Sequence, residues 1–144
     1  MGYFIRYNLS SLAILAYFLT DRMTKNYFLV NPTKILDWGF IKLHLVKNDA
    51  GIFGLPLPGG INTQIIVLLI LFSSIIYLFK REKKKVMLIY GVIMMFTGGL
   101  SNILDRFYHG FVIDFIDLGF WPVFNLSDAL ISFGTIVVLW RVFK

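Results

Sequence analysis

Four carboxylates, one arginine and two asparagines lie between residues 98 and 134, in the middle of a very apolar sequence. Ionisable side chains at bilayer depth are costly, so they usually lie inside a helical bundle and mark a functional site. Asp114 and Asp128 are our candidates for a catalytic pair. Two carboxylates about 3 Å apart share one proton, so one can activate a water molecule while the other donates to a substrate carbonyl. This chemistry suits amide hydrolysis and needs no metal or cofactor.

Three polar residues near this pair share one face of a helix. Asn102, Asp105 and Arg106 are spaced i, i+3 and i+4 at the end of an apolar run. We expect Arg106 to orient the carboxylates or to bind the substrate backbone. The alternatives are that Arg106 anchors the helix at the membrane interface or that it pairs with Asp105.

The chain between the two candidate carboxylates turns back on itself. Asp114 lies in a strand pattern, and breaks at Gly119 and Pro122 precede a helix that begins near Asn125. This return can bring Asp114 and Asp128 together, although the spacing alone does not require it. Asp128 also has a purely structural interpretation. As the third helical residue after Asn125, it completes a capping pattern and interacts favourably with the helix dipole.

Other kinds of site have weaker support. Ser101 and His109 are close in sequence, but no third group completes a Ser-His site. The acids lack the spacing of metal ligands, so we expect no metal. The chain has no cysteine, which excludes disulfides and a thiol nucleophile. Asp21 and Lys25, four residues apart, can pair on the first helix. They either close a membrane span at the interface or contribute to a site.

The elements that carry these residues are predicted to be membrane helices. Of the 144 residues, 58% are hydrophobic and 15% are charged, which is less charge than a soluble domain carries. The apolar runs predict one all-α membrane domain over residues 1–144, with four transmembrane helices and a small extracytoplasmic β-cradle. The spans are expected at about 3–25, 61–79, 86–104 and 124–142, and the cradle segments at about 31–60 and 107–121.

Alternating side chains predict the cradle. Ile41, Leu43 and Leu45 alternate with their neighbours in the first segment, and a turn follows at 48–54. A second alternation runs through residues 107–117. We expect this sheet to lie on the membrane surface, with its apolar face in the interface and its basic side chains against lipid headgroups.

Charge predicts the orientation. With four spans, the side that holds both termini and the run 80–85 carries eight basic residues in short segments. These are Arg6, Lys80, Arg81, Lys83, Lys84, Lys85, Arg141 and Lys144. The opposite side carries seven of the eight acids. The positive-inside rule therefore predicts cytoplasmic termini and a site near the extracytoplasmic face. It also accounts for much of the net charge of +6 without a nucleic-acid partner.

Five motifs resemble, in order, those of the bacterial lipoprotein signal peptidases, also called type II signal peptidases. They lie at residues 21–25, 48–53, 101–106, 112–115 and 124–128. The chain departs from the family pattern at four small residues. Ala50 and Gly51 stand where Gly and Ala are usual, Ser101 replaces a common Gly, and Ser127 replaces the common Ala. The loop 117–121 is also short for the family.

This resemblance implies an intramembrane aspartyl endopeptidase of the bacterial cytoplasmic membrane. Such an enzyme removes signal peptides from diacylglyceryl-modified prolipoproteins by cutting just before the lipidated cysteine. The resemblance implies that Asp114 and Asp128 form the catalytic dyad. It implies further that seven residues shape the site or hold substrate: Asp21, Lys25, Asn48, Asn102, Asp105, Arg106 and Asn125. We expect a monomer without a cofactor, whose partners are lipid-modified signal peptides and membrane lipids.

Two other classes of protein could carry the same acids. A small transporter or proton-relay protein would distribute them along the spans. Here they cluster at the outer ends of the predicted spans, which favours the enzyme. A structural subunit of a larger membrane complex would require no pairing of Asp114 with Asp128.

Overall fold

The computed structural model describes residues 2–49, 60–81 and 86–143. The described residues form helices α1 (Gly2–Val30), α2 (Gly60–Arg81), α3 (Val86–His109) and α4 (Leu126–Val142), and strands β1 (Leu36–Asp37), β2 (Lys42–Asn48) and β3 (Val112–Asp117). The prediction of a mostly helical chain with a small sheet is confirmed. The predicted turn at 48–54 and the basic run 80–85 fall largely outside the described residues.

Helices α1 and α3 both end well beyond the C-terminal limits of the spans predicted for them. α1 continues past Lys25 because no helix breaker precedes Pro32. α3 continues to His109 and ends at Gly110, whose φ of 83° is the left-handed conformation that glycine adopts readily. The Gly110 N–H donates to the Arg106 carbonyl at 3.0 Å, which caps the helix. The start of the second cradle segment is therefore helical.

The three strands form one antiparallel sheet in the order β1-β2-β3. Four consecutive residues of β3, from Val112 to Phe115, are buried, so alternation does not separate a buried face from an exposed one here. The reason is that α1 and α3 both pack against this strand. The ring of Phe28 from α1 stacks on Phe115, with centroids 5.6 Å apart. β3 is thereby held between the helices that carry the other polar residues.

Glycines bring α3 and α4 into backbone contact. A Cβ atom at Gly134 would lie 2.6 Å from the carbonyl oxygen of Gly91, and one at Gly98 would lie 2.5 Å from the carbonyl oxygen of Ser127. Small residues allow this close approach, which is common between membrane helices. The contact at Gly98 places the first turn of α4 directly against α3, where the candidate site lies.

The helices expose many large apolar side chains, such as Leu69 of α2 and Ile136 of α4. Extended apolar surfaces of this kind are typical of membrane or protein contact. Within the part of the chain that the structure describes, Val86–His109 is long and apolar enough to cross a membrane. The arrangement of four spans stays a prediction.

Candidate active site

Asp114 lies in the middle of β3 and is almost fully buried, with 1% of its surface exposed. Its Oδ1 atom accepts a hydrogen bond from Asn125 Nδ2 at 2.6 Å, and its Oδ2 atom accepts one from Asn48 Nδ2 at 2.8 Å. Burial, and then the negative charge of Asp128, raises the pKa of Asp114 to about 7, against the opposing effect of the two amide donors. Asp114 can therefore hold a proton near neutral pH.

Asp128 is the third residue of α4 and combines two roles. Its backbone N–H donates to Asn125 Oδ1 at 2.9 Å, and the Asn125 N–H donates to Asp128 Oδ2 at 3.3 Å, which is a complete capping box. Its other oxygen, Oδ1, accepts from Asn102 Nδ2 at 2.7 Å. The capping interpretation of Asp128 is therefore confirmed, and the cap holds the carboxylate beside Asn102. A catalytic role for Asp128 stays a prediction.

Asn125 forms hydrogen bonds with both Asp114 and Asp128. Its Oδ1 atom accepts from the Asp128 N–H, so its Nδ2 group is directed at Asp114 and, at 3.2 Å, at Asn102 Oδ1. The same Asn102 oxygen accepts from Lys25 Nζ at 3.0 Å, which directs the Asn102 amide N–H groups toward Asp128. The helix cap and a buried cation thus fix the orientation of both amides.

Lys25 is fully buried between two carboxylates, which is the way a buried charge is tolerated. Its Nζ lies 3.0 Å from Asp21 Oδ2 and 2.7 Å from Asp105 Oδ2. Asp105 also pairs with Arg22 and accepts the Ile113 N–H at 3.3 Å. The pair formed by Asp21 and Lys25 is therefore buried within the protein and in contact with Asp105 of α3. Lys25 connects α1 to α3 through Asp105, and Asp105 in turn accepts the Ile113 N–H of β3.

Arg106 is half-buried near the end of α3. It is close enough to interact electrostatically with Asp105, Asp114 and Asp128. Asp105 has ion pairs of its own with Lys25 and Arg22, so it does not depend on Arg106 for its neutralisation. This favours the expectation that Arg106 faces the two carboxylates over the simple pair with Asp105.

The structure brings together eight of the predicted site residues by direct contacts. They are Asp21, Lys25, Asn48, Asn102, Asp105, Asp114, Asn125 and Asp128. The ninth, Arg106, interacts with three of them electrostatically. The suggested pair of Ser101 and His109 does not form a catalytic site, because Ser101 is buried against Asp21 whereas His109 is exposed beside Phe111.

Three residues of this network are not among the site residues predicted from the sequence. Arg22 pairs with Asp105, and the hydroxyls of Ser101 and Ser127 both donate to Asp21 at 2.7 Å. A sequence signal was available for each of them. Arg22 is a charged neighbour of Asp21, and each serine directly precedes a predicted site residue in an otherwise apolar stretch.

Comparisons with known proteins decide the family. A family model for signal peptidase (SPase) II matches residues 13–144. The chain belongs to the signal peptidase II family. The resemblance seen in its five motifs is thereby confirmed.

Relatives named lipoprotein signal peptidase match most of the chain. The protein from Syntrophomonas wolfei is 36% identical over 125 residues, which cover 84% of this chain and 83% of that protein. The protein from Thermodesulfovibrio yellowstonii is 32% identical over 142 residues, which cover 94% of this chain and 95% of that protein. Signal peptidase II is a peptidase family, so this chain is a peptidase.

Two solved structures described as bacterial membrane enzymes share the fold. One superposes with a TM-score of 0.79 at 24% identity, over 95% of this chain and 88% of the other. The second has a TM-score of 0.75 at 25% identity, over 95% of this chain and 94% of the other. The arrangement of helices and sheet is therefore shared with these two solved structures over most of each chain.

Proposed function

We propose that this signal peptidase II is a membrane aspartyl endopeptidase that removes signal peptides from lipid-modified prolipoproteins. Its family and the names of its relatives support the prolipoprotein substrate. The residues of the site support the aspartyl mechanism. We propose further that the substrate carries a diacylglyceryl group and that the enzyme cuts just before the lipidated cysteine, as the resemblance of its motifs to the family implies.

One observation carries the aspartyl mechanism: Asn125 contacts both Asp114 and Asp128, and Asp114 holds its proton to about pH 7 beside the second carboxylate. Asp128 lies in the first turn of α4, where the helix N-terminus favours a negative charge, so we assign it as the ionised member of the pair. In the proposed reaction Asp128 takes a proton from water while Asp114 donates its proton to the scissile carbonyl oxygen. Collapse of the resulting diol returns the protons to the leaving amine and to the dyad.

The remaining polar residues support this pair. Arg106 provides positive charge beside both carboxylates and can bind a substrate carbonyl with its planar group. Asn48 holds Asp114 from β2. Lys25 holds the Asn102 amide and fixes α1 against α3. None of these roles requires a metal or a cofactor.

The position of the acids supports an enzyme over the proton-relay alternative. Asp105 near the end of α3, Asp114 in β3 and Asp128 in the first turn of α4 converge at one end of the helices. A relay across the membrane needs acids at successive depths. Asp128 is partly accessible to solvent. A localised cluster with one accessible carboxylate suits hydrolysis, because water must reach the reacting group.

The cradle supports contact with lipids. Trp38, Phe40 and Trp121 are exposed there, and Lys47 lies over the ring of Phe111 at 5.0 Å. Aromatic and basic side chains together are typical of membrane interfaces. We propose that the enzyme acts as a monomer, that the cradle lies on the extracytoplasmic face, and that both termini are cytoplasmic.

The test is cleavage of a purified lipidated prolipoprotein in detergent by the parent enzyme and by aspartate variants. Asp114→Asn and Asp128→Asn should each abolish release of the signal peptide, because an amide keeps the shape but cannot exchange the catalytic proton. The double variant should be scarcely worse, since the two residues act as a unit. Asp117→Asn on the same strand is the matched control, because Asp117 contacts His44 and Gly119 instead. Full activity of Asp128→Asn would leave Asp128 as a helix cap only.

A further inference from the structure

The carboxylate of Asp21 joins three helices at one buried point. Its Oδ2 atom accepts from Ser101 Oγ of α3 at 2.7 Å, from Ser127 Oγ of α4 at 2.7 Å, and from Lys25 Nζ at 3.0 Å. Its Oδ1 atom accepts from the Ser127 backbone N–H at 3.1 Å. All four residues are essentially inaccessible to solvent. Because water is excluded, these hydrogen bonds to a charged group are strong.

The direction of the Ser101 hydroxyl is fixed by its surroundings. Lys25 Nζ and Arg22 Nη1 each lie 3.4 Å from Ser101 Oγ and can only donate to it. The hydroxyl proton is therefore left for Asp21. Ser127 is held by both its hydroxyl and its backbone N–H, one of the N–H groups that the first turn of a helix leaves without an internal partner. Asp21 thus caps α4 from another helix.

Each serine directly precedes a residue of the candidate site. Ser101 is followed by Asn102, and Ser127 is followed by Asp128. The Asn102 amide donates to Asp128 Oδ1 at 2.7 Å. The two residues of this contact, Asn102 and Asp128, therefore each follow a serine that donates to the Asp21 carboxylate.

The association of α3 with α4 does not depend on the serines. Gly91 and Gly134 bring the two backbones together further along the helices, and Gly98 packs closely against the Ser127 carbonyl. Removing a hydroxyl therefore leaves the helices packed. Each removal costs one hydrogen bond to Asp21, at the end of α3 and α4 where the site lies.

We propose that Ser101 and Ser127 are positioning residues that act through Asp21 to hold Asn102 against Asp128. This inference rests on the proposed catalytic role of Asp128. Ser101 links α3 to Asp21, and Ser127 links α4 to Asp21, so the two hydroxyls are successive parts of one connection. Loss of either hydroxyl loosens the relative position of the two helix ends, while the Ser127 backbone N–H and Lys25 keep their own bonds to Asp21.

The test compares Ser101→Ala, Ser127→Ala and the double variant with the parent enzyme on a lipidated prolipoprotein in detergent. Each single variant should lower kcat about tenfold, which corresponds to about 1.4 kcal/mol of transition-state stabilisation. KM should stay within about twofold, because both serines are buried and their hydroxyls donate to Asp21. The double variant should be no more than about threefold worse than the single ones, since either single change already loosens the same connection. The control Ser73→Ala removes a hydroxyl that donates to Leu69 within α2, and should leave kcat unchanged.

Several results would overturn the inference. They are single variants with parental kcat, losses that multiply in the double variant, and losses that appear in KM. A fall in kcat that merely follows a fall in Tm, measured on the same samples, would assign the serines to folding alone. Failure of the proposed function would look different. In that case the parent enzyme does not cleave the prolipoprotein, or Asp114→Asn cleaves it as well as the parent does.

Discussion

Asn125 Nδ2 donates a hydrogen bond to Asp114 Oδ1 at 2.6 Å. The oxygen of the same amide accepts the backbone N–H of Asp128 and caps α4. One side chain therefore starts the helix that carries one candidate catalytic carboxylate and also contacts the other. The capping role and the role toward Asp114 can be separated by substitution, because several residue types cap helices equally well.

Asn125→Ser should separate these roles. Serine is about as good an N-cap as asparagine, but its hydroxyl is too short to replace the amide donor to Asp114. We expect the Tm in detergent to change by only a few degrees, whereas kcat for prolipoprotein cleavage falls about tenfold or more. Asn125→Ala, which loses the cap as well, should show the larger fall in Tm. Parental kcat in Asn125→Ser would mean that Asn125 serves only the helix.

The pH dependence of cleavage should report the proton on Asp114. Its pKa is raised to about 7, so the donor form is lost as the pH rises through that value. We expect kcat/KM to fall about tenfold per pH unit above this point. Asn48 donates to Asp114 and favours its ionised form, so Asn48→Ala should move the alkaline limb to higher pH. Asn31→Ala, at the end of α1, should leave the limb in place. A limb that shifts downward in Asn48→Ala would contradict this assignment.

The sequence predicted the polar residues of the site better than it predicted their contacts. Spacing placed Asn102 and Asp105 on one helix face, and the capping pattern placed Asn125 before Asp128. Both predictions depend only on local helix geometry. The family motifs added Asn48 and assigned Asp21 to the site. Both residues lie far away in the sequence, and both contact site residues in the structure.

The contacts of small residues could not be predicted from the sequence. Ser101 and Ser127 stand where the family commonly has Gly and Ala, and on size alone the backbone tolerates both serines. Their hydroxyls instead meet Asp21 on a third helix. Such a meeting depends on how three helices pack, and periodicity along one chain segment carries no information about it. The burial of every residue from Val112 to Phe115 has the same origin, since alternation cannot show that helices cover β3.

Arg106→Lys tests whether Arg106 acts on the site or only anchors α3. Lysine keeps the positive charge but loses the planar group that can bind two acceptors at once. We expect kcat/KM to fall about tenfold to 100-fold, with little change in Tm. Arg141→Lys near the end of α4 is the matched control, because Arg141 is exposed beside Trp140. If Arg106→Lys cleaves as well as the parent, with unchanged KM, Arg106 is an anchor.

Topology can be tested by chemical labelling of single cysteines, since the chain has no native cysteine. The excess of basic residues near the termini and in the run 80–85 predicts that this side is cytoplasmic. A cysteine at the exposed position Lys34 should react with an impermeant reagent added to intact spheroplasts. A cysteine at Lys83 should react only after permeabilisation. Reaction of both positions from the same side would exclude the four-span arrangement.

The stability of the bundle should depend on the glycines between α3 and α4. A methyl group at Gly134 would lie 2.6 Å from the Gly91 carbonyl oxygen and 3.0 Å from Met94 Cβ, so the helices must separate to accept it. Gly134→Ala should therefore destabilise the protein by about 1–3 kcal/mol. At Gly99 the added methyl group would meet only the end of the Leu68 side chain, at 3.1 Å. That side chain can move, and alanine favours helix more than glycine does, so Gly99→Ala should leave the Tm unchanged or raise it. Equal Tm values for the two variants in detergent would show that the close contact of α3 with α4 does not govern stability.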